Sequence, residues 1–103
     1  MFIAIVQIPM SKRSRDEAVA SATKTAPTYS ALKVKGLIRK YYLNGEAGGG
    51  GVYVWQSEAA ARAWYTPEWE KRVEAAFGGK PTVTYYDNHV VVDNETDAVV
   101  VES

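Results

Sequence analysis

The amino-acid sequence predicts an α+β fold with the element order β-α-β-β-α-β: one antiparallel sheet with two helices on one face. Two observations predict it. Four segments rich in β-branched and aromatic residues are typical of strands, and two intervening segments combine helix caps with helical spacing of apolar residues. The chain of 103 residues has the size of one compact domain.

The first predicted strand is residues 2–9, FIAIVQIP, which are apolar on both faces and end at Pro9. Basic residues follow this apolar segment, whereas a secretory signal has them before it. No apolar run approaches the ~18 residues of a membrane-spanning helix. We therefore expect a cytoplasmic protein that does not bind a membrane.

The first predicted helix begins with a capping box, in which the Ser14 side chain accepts from the backbone N–H of Glu17 and the Glu17 carboxylate reaches back to Ser14. Alanine and valine then recur at helical spacing up to Ala26, and Pro27 is expected to end the helix. Because its apolar face consists mainly of alanine, the helix should lie close to whatever it covers.

Residues 36–44 and 51–56 are the next two predicted strands, and Asn44-Gly45 predicts a hairpin between them. The four glycines 48–51 are not typical of a phosphate loop, because such a loop leads from a strand into a helix and is followed by Lys and Ser or Thr. We expect them to turn the chain, to open the next strand and to leave room beside the backbone for a ligand.

The second predicted helix spans residues 57–79 and is interrupted after Tyr65, where Thr66 caps a new segment and Pro67 occupies its first turn. A helix break beside a sheet leaves a cleft that large rings can line. The break brings three rings to one elbow, the best candidate for a pocket wall: Trp64, Tyr65 and Trp69.

The last predicted strand is residues 81–94, with a possible bulge at Asp87-Asn88. Residues 95–103 are expected to form an extended C-terminal arm beyond a single ferredoxin-like domain of residues 1–94. The sheet face without helices must also be covered, because the first and last strands are apolar there too. We therefore expect a homodimer that packs sheet against sheet.

The composition excludes several kinds of site. The net charge is zero, although residues 1–50 hold eight basic and three acidic residues and residues 51–103 hold four and nine. This balance argues against nonspecific nucleic-acid binding. The chain has no cysteine and one histidine, so neither a Cys-type metal site nor a His-rich metal site is expected.

Several stretches together resemble the YdhR-type monooxygenase family of the dimeric α+β-barrel superfamily, which includes the antibiotic-biosynthesis monooxygenases. They are GLIRKYYL, the glycines leading into GGVYVW, SEAAARAWYTPEW and VTYYDNHVVVDN, and the resemblance covers residues 2–94. It implies a dimeric ferredoxin-like fold and the oxidation of a small electron-rich aromatic or polyketide-like substrate by O₂ without a cofactor. The substrate supplies the electrons, so no flavin or metal is expected.

Such a reaction needs a cation for the developing oxyanion, an aromatic pocket and a base. Lys40 or Arg39 is the candidate cation, and strand alternation places them on opposite faces without deciding which face meets the helices. His89 is the candidate base because its ordinary pKa lies near neutrality. The candidate substrate-binding residues are aromatic: Tyr41, Tyr42, Tyr53, Trp55, Trp64, Tyr65 and Trp69.

Two other functions remain open at this point. The same pocket could serve a non-catalytic dimer that binds or senses a small aromatic molecule. An isomerase or dehydratase of an enolisable compound could use His89 or Lys40 without oxygen. Product analysis distinguishes all three, because only the monooxygenase consumes oxygen and only the binding protein returns its ligand unchanged.

Overall fold

A computed structural model describes residues 1–102. Three helices, a short 3-10 turn at Leu32–Lys35 and six strands follow one another along the chain. In chain order the helices and strands are β1 (Phe2–Ile8), α1 (Arg15–Ala31), β2 (Leu37–Gly45), β3 (Gly48–Trp55), α2 (Glu58–Trp64), α3 (Pro67–Phe77), β4 (Thr82–Asp87), β5 (Val90–Asp93) and β6 (Ala98–Val101).

The main sheet has four strands in the order β2-β3-β1-β4, and every neighbouring pair is antiparallel. The connection from β1 through α1 to β2 skips one strand, as does the connection from β3 through α2 and α3 to β4. This is the split βαβ arrangement repeated, and it confirms the predicted α+β fold.

The hydrophobic core lies between the sheet and the helices. Alternate residues of β1 and β3 face it, and Trp55 and Ala4 are 0% exposed. Ala61 of α2 and Trp69 of α3 pack onto these strands. The predicted break is confirmed: α2 ends at Trp64, and Thr66 caps α3 by accepting from the Trp69 N–H at 3.2 Å.

The first helix differs from the prediction at its end. The capping box of Ser14 and Glu17 is present, but α1 continues through Pro27 to Ala31. No residue of α1 is buried, so it packs less closely than its alanine-rich face predicts. The contact with the sheet comes mainly from one ring near its end, because Tyr29 lies 5.6 Å from the Tyr53 ring, centroid to centroid.

The hairpin between β2 and β3 turns two residues later than Asn44-Gly45 predicts. Gly45 pairs with Gly48, so Glu46 and Ala47 form the turn, and the glycines 48–51 belong to β3. A bulge between Leu37 and Arg39 shifts the register of β2. The glycines therefore begin β3 and do not turn the chain as expected. They lie within a strand and not before a helix, which agrees with the expectation that the chain does not form a phosphate loop here.

The predicted long strand 81–94 is divided in two. β4 ends at Asp87, and the backbone N–H of Asn88 donates to the carbonyl of Met1 at 3.0 Å. β5 then pairs with β6 in a separate two-stranded sheet, so residues 98–101 of the predicted arm are half of a hairpin. The terminal residue 103 lies outside the described residues.

The face of the main sheet opposite the helices carries apolar side chains on all its strands. The most exposed large ones are Tyr41, Leu43 and Tyr86, at 50%, 37% and 51%. Ile3 and Val54, which are neighbours in the register of β1 and β3, lie between them and are partly exposed. We call this surface the open face.

Candidate functional site

A cavity of about 270 Å³ lies between the sheet and the helices α1 and α3. Its walls are mostly apolar and aromatic, as is typical of small-molecule sites. The side chains that give it this character are Met10, Tyr29, Tyr42, Tyr53, Trp69 and Phe77.

Lys40 projects from β2 into a group of three tyrosine rings at one wall of this cavity. Its Nζ lies 3.4 Å from the ring centroid of Tyr29, 3.8 Å from that of Tyr42 and 4.8 Å from that of Tyr53. Tyr42 and Tyr53 share its sheet face through the strand register, whereas Tyr29 comes from α1. We call Lys40 with these three tyrosines the tyrosine cage.

The ammonium of Lys40 has no carboxylate partner. Within residues 1–102 the ion pairs join other groups, and no acidic side chain lines the cavity. Burial lowers the pKa of Lys40 from 10.5 to about 7. The faces of the three tyrosine rings stabilise the charged ammonium of Lys40, which partly offsets the lowering of its pKa. Near neutral pH, Lys40 can therefore exchange a proton with a ligand.

The tyrosine hydroxyls of the cage form two hydrogen bonds. The Tyr53 hydroxyl donates to that of Tyr29 at 3.4 Å, and the hydroxyls of Tyr42 and Thr25 lie 2.8 Å apart. Burial raises the pKa of Tyr53 well above its ordinary value. Burial also raises the pKa of Tyr42, so the Tyr42 and Tyr53 phenols stay protonated near neutrality and do not act as bases.

A second cation, Arg13, lines the cavity from the loop between β1 and α1. Its backbone is held by the Asn44 side chain, whose Oδ1 accepts from the Arg13 N–H at 3.0 Å and whose Nδ2 donates to the Arg13 carbonyl at 2.9 Å. Its guanidinium carbon lies 6.0 Å from the ring centroid of Phe77. This loop therefore presents a positioned positive charge to the cavity.

Two residues that line the cavity each have a buried donor without an acceptor in the described chain: Nε of Arg13 and Nε1 of Trp69. Trp69 is only 4% exposed. Buried polar groups are normally hydrogen-bonded, so each unpaired donor calls for an explanation.

Glycine backbone explains how these side chains fit against β3. A β-carbon at Gly51 would lie 3.2 Å from Cε of Lys40, and one at Gly49 would lie 2.9 Å from the Met10 sulfur and 3.6 Å from Nη2 of Arg13. Side chains at these positions would displace the groups that line the cavity. The glycine run therefore makes space beside the sheet, as the sequence predicts.

The elbow contributes less to the cavity than its sequence suggests. Trp69 lines it, whereas Trp64, Tyr65 and Trp55 are not among its lining residues. The Tyr65 ring packs edge-on against Trp69 at 4.9 Å, and the Trp55 Nε1–H donates to the Tyr65 hydroxyl at 3.1 Å. These three rings stabilise the wall behind Tyr53 and Trp69.

The other predicted residues lie elsewhere. Arg39 and Tyr41 alternate with Lys40 and belong to the open face, where Nη1 of Arg39 donates to the Tyr41 hydroxyl at 3.0 Å. This hydrogen bond is the main cause that raises the pKa of Arg39. His89 is exposed between β4 and β5 and does not line the cavity.

A second, open groove of about 710 Å³ runs along the outside of β2 near the end of α1. Tyr29, Lys40 and Tyr42 line both this groove and the cavity. Arg39 reaches only the groove. Three of the four residues of the tyrosine cage therefore lie between the cavity and this groove.

The sequence interpretation missed Arg13, Tyr29 and Phe77 as lining residues. A cation directly after a central strand and before a capping box was a usable signal for Arg13. Tyr29 was not considered as a lining residue because the helix was expected to end at Pro27, before it. Phe77 belonged to the predicted apolar stripe of the second helix, which also suits an ordinary core position.

Among residues 1–102, no group of three potential ligands could hold a metal ion. No helix in the same range is long and apolar enough to cross a membrane.

Comparison with known proteins identifies a solved structure of similar fold. No protein-family profile matches the sequence, and no curated protein matches it. The solved structure of a "putative antibiotic biosynthesis monooxygenase" from Deinococcus radiodurans is similar, with a TM-score of 0.59 and 12% identity over 90% of this chain and 97% of that one. The two proteins share a fold. At this identity the likeness concerns the arrangement of strands and helices, so any function must be argued from the site itself.

Proposed function

We propose that the protein is a cofactor-independent monooxygenase that oxidises a small electron-rich aromatic compound with O₂. The observation that carries the proposal is the tyrosine cage: a lysine at the wall of an aromatic cavity, with no carboxylate partner among residues 1–102. The sequence resemblance to the YdhR-type family and the shared fold of the Deinococcus radiodurans protein support the same reaction class by analogy.

The volume of the cavity suits a bicyclic ring system. An apolar cavity of ~150 Å³ takes up benzene, and this one is larger, at about 270 Å³. A naphthol fits this space better than a three-ring anthrone. We therefore use 1,5-dihydroxynaphthalene as the test substrate.

The neutral amine of Lys40 takes the proton of the naphthol hydroxyl, and the resulting ammonium stabilises the naphtholate oxygen. The naphtholate has carbanion character at the para carbon. This carbon passes one electron to O₂, and the two radicals recombine to a hydroperoxide, which loses water to give a quinone. In total, dihydroxynaphthalene and O₂ give hydroxynaphthoquinone and H₂O.

The protein's further contribution is to hold and shield the substrate. The Tyr29 hydroxyl, which accepts from Tyr53, can donate its own hydrogen to a ring oxygen, and the Trp69 and Phe77 rings can pack against the faces of the substrate. The apolar walls limit the water around the radical pair and the peroxide.

The test supplies ¹⁸O₂ and 1,5-dihydroxynaphthalene in the dark and examines the quinone by mass spectrometry. The wild type should form a quinone with one ¹⁸O atom, and Lys40→Met should lose this activity. Lys24→Met, which removes an exposed lysine of α1, is the matched control and should keep it. A ligand that binds and returns unchanged would instead identify a binding protein.

The proton exchange of Lys40 also favours a second candidate, an isomerase of an enolisable compound. The same amine would remove a carbon-bound proton and return it to a different atom. Turnover under nitrogen, with deuterium taken up from D₂O, would favour this candidate over the monooxygenase.

We further propose that two chains pack through the open face. Tyr41, Leu43 and Tyr86 together expose a broad apolar surface on a sheet that has helices on its other side only. Tyr41→Glu should convert the dimer to a species of 11.3 kDa in sedimentation. Val34→Glu replaces another exposed apolar residue, 89% exposed and outside this face, and should leave the dimer intact. A monomeric wild type at micromolar concentration would contradict the dimer.

A further inference from the structure

Within residues 1–102, the charged groups that line the cavity are cationic hydrogen-bond donors, without a carboxylate among them. Arg13 and Lys40 both bring a cationic group to its lining, and the described lining contains no carboxylate to accept from them. A neutral hydrocarbon ligand would leave these donors unpaired, which costs about 1–3 kcal/mol for each buried group. A ligand with acceptor oxygens would satisfy them.

Arg13 is the group that the proposed reaction does not use. Its backbone is fixed by both ends of the Asn44 amide, its guanidinium lies near the Phe77 ring, and its Nε is buried without an acceptor. No ion pair involves it among residues 1–102. A guanidinium presents several donors in one plane and pairs best with a carboxylate.

The strand register gives the separation of the two cations. Nη2 of Arg13 lies 3.6 Å from the β-carbon position of Gly49, and Cε of Lys40 lies 3.2 Å from that of Gly51. These glycines are two residues apart on the same face of β3, which corresponds to roughly 7 Å along the strand. The two side chains therefore approach β3 at points whose spacing is on the scale of a bicyclic ligand lying along the strand.

We propose that the natural ligand is an aromatic acid: a bicyclic phenol whose carboxylate pairs with Arg13 while its hydroxyl meets Lys40. This inference rests on the proposed function for the role of Lys40, and it adds the substrate class and a specificity residue. Asn44 is the positioning residue of Arg13.

The test compares three probes under nitrogen, so that binding is measured without oxidation. 6-Hydroxy-2-naphthoate carries its two groups at opposite ends, 6-hydroxy-2-naphthamide lacks the charge, and 3-hydroxy-2-naphthoate has the groups adjacent. Calorimetry on the wild type should show the first probe binding about tenfold more tightly than either of the others, as expected for one charge-assisted pair.

Arg13→Gln should remove the preference for the acid over the amide and leave the affinity for the amide unchanged. Arg15→Gln is the matched control, because Arg15 is two residues away, has a side chain that is 84% exposed and pairs only with Asp16. Asn44→Ala should reduce the preference for the acid in part, whereas a merely structural role would weaken binding of acid and amide alike.

Equal binding of acid and amide to the wild type would overturn the inference, as would an Arg13→Gln variant that keeps the preference. These results are separate from the oxygen assay. A protein that prefers the acid but forms no ¹⁸O-labelled quinone would keep the aromatic-acid site and lose the monooxygenase function. A labelled quinone without any preference for the acid would support the monooxygenase function and exclude the aromatic-acid site.

Discussion

The variant Lys40→Met separates the charge of the tyrosine cage from its packing, because methionine is similar in shape and has no amine. Burial lowers the pKa of Lys40 to about 7 in the folded protein, against 10.5 for an exposed lysine. Below pH 7 both folded and unfolded chains carry the proton, and the folded state bears the full cost of burying the charge. Between pH 7 and 10.5 the folded state loses the proton first, so the free energy of unfolding rises with pH.

The size of this effect follows from two opposing contributions. The difference between 10.5 and about 7 corresponds to about 5 kcal/mol. Contact with the ring faces of the tyrosine cage stabilises the protonated Lys40 by about 2 kcal/mol. We therefore expect Lys40→Met to be more stable than the wild type at pH 6, with an advantage that shrinks by about 3 kcal/mol as the pH rises to 10.5.

Urea unfolding of both proteins at a series of pH values between 6 and 10.5 measures this difference. All other titrating groups are shared, so they cancel when the two free energies are subtracted. Lys24→Met, at an exposed position on α1, should differ from the wild type by a constant amount over the same range. A constant difference for Lys40→Met would refute the reasoning, because Lys40 would then keep its ordinary pKa in the folded protein.

Four further substitutions test the glycines, the proline of α1 and the cap of α3. Gly50→Ala should lower the free energy of unfolding by more than about 3 kcal/mol, because Gly50 has a φ of +136° and its β-carbon would overlap the Val6 carbonyl oxygen. A β-carbon at Gly45 would meet nothing within 4 Å, so Gly45→Ala should lower the free energy of unfolding by less than about 1 kcal/mol. Equal losses for Gly50→Ala and Gly45→Ala in urea unfolding would contradict this account. Pro27→Ala should raise the free energy of unfolding by about 1–3 kcal/mol, since it restores a donor inside α1, and a decrease in the same assay would show that the proline shapes the helix. Thr66→Ala should cost about 1 kcal/mol in thermal unfolding through the lost cap of α3, and an unchanged melting temperature would mean that Pro67 alone starts this helix.

Features that depend on neighbours in sequence could be predicted well. The capping box joins residues three apart, and Thr66 with Pro67 starts α3 where the sequence places them. Gly78 ends α3 in the left-handed conformation, with a φ of +78°. Each of these interactions lies within one turn of helix, so the residue types decide it directly.

Features that depend on distant contacts could not be predicted. Strand alternation separates Arg39 from Lys40, but the helices decide which of the two faces the cavity, and a bulge after Leu37 sets the register. The last predicted strand divides beside Asn88, whose N–H extends the pairing with β1 by donating to Met1, 87 residues away in sequence. The position of Arg13 depends on Asn44, which is 31 residues away.

The loose packing of α1 has a consequence for how a ligand reaches the cavity. This helix covers the cavity with none of its own residues buried, and its ring contacts and one hydroxyl pair join it to β2 and β3. Segments with little buried surface open first, and their amide hydrogens exchange with solvent ahead of the core. Entry is therefore expected where Tyr29 and Tyr42 part, and an occupied site should slow deuterium uptake in residues 15–31 more than in the central strands.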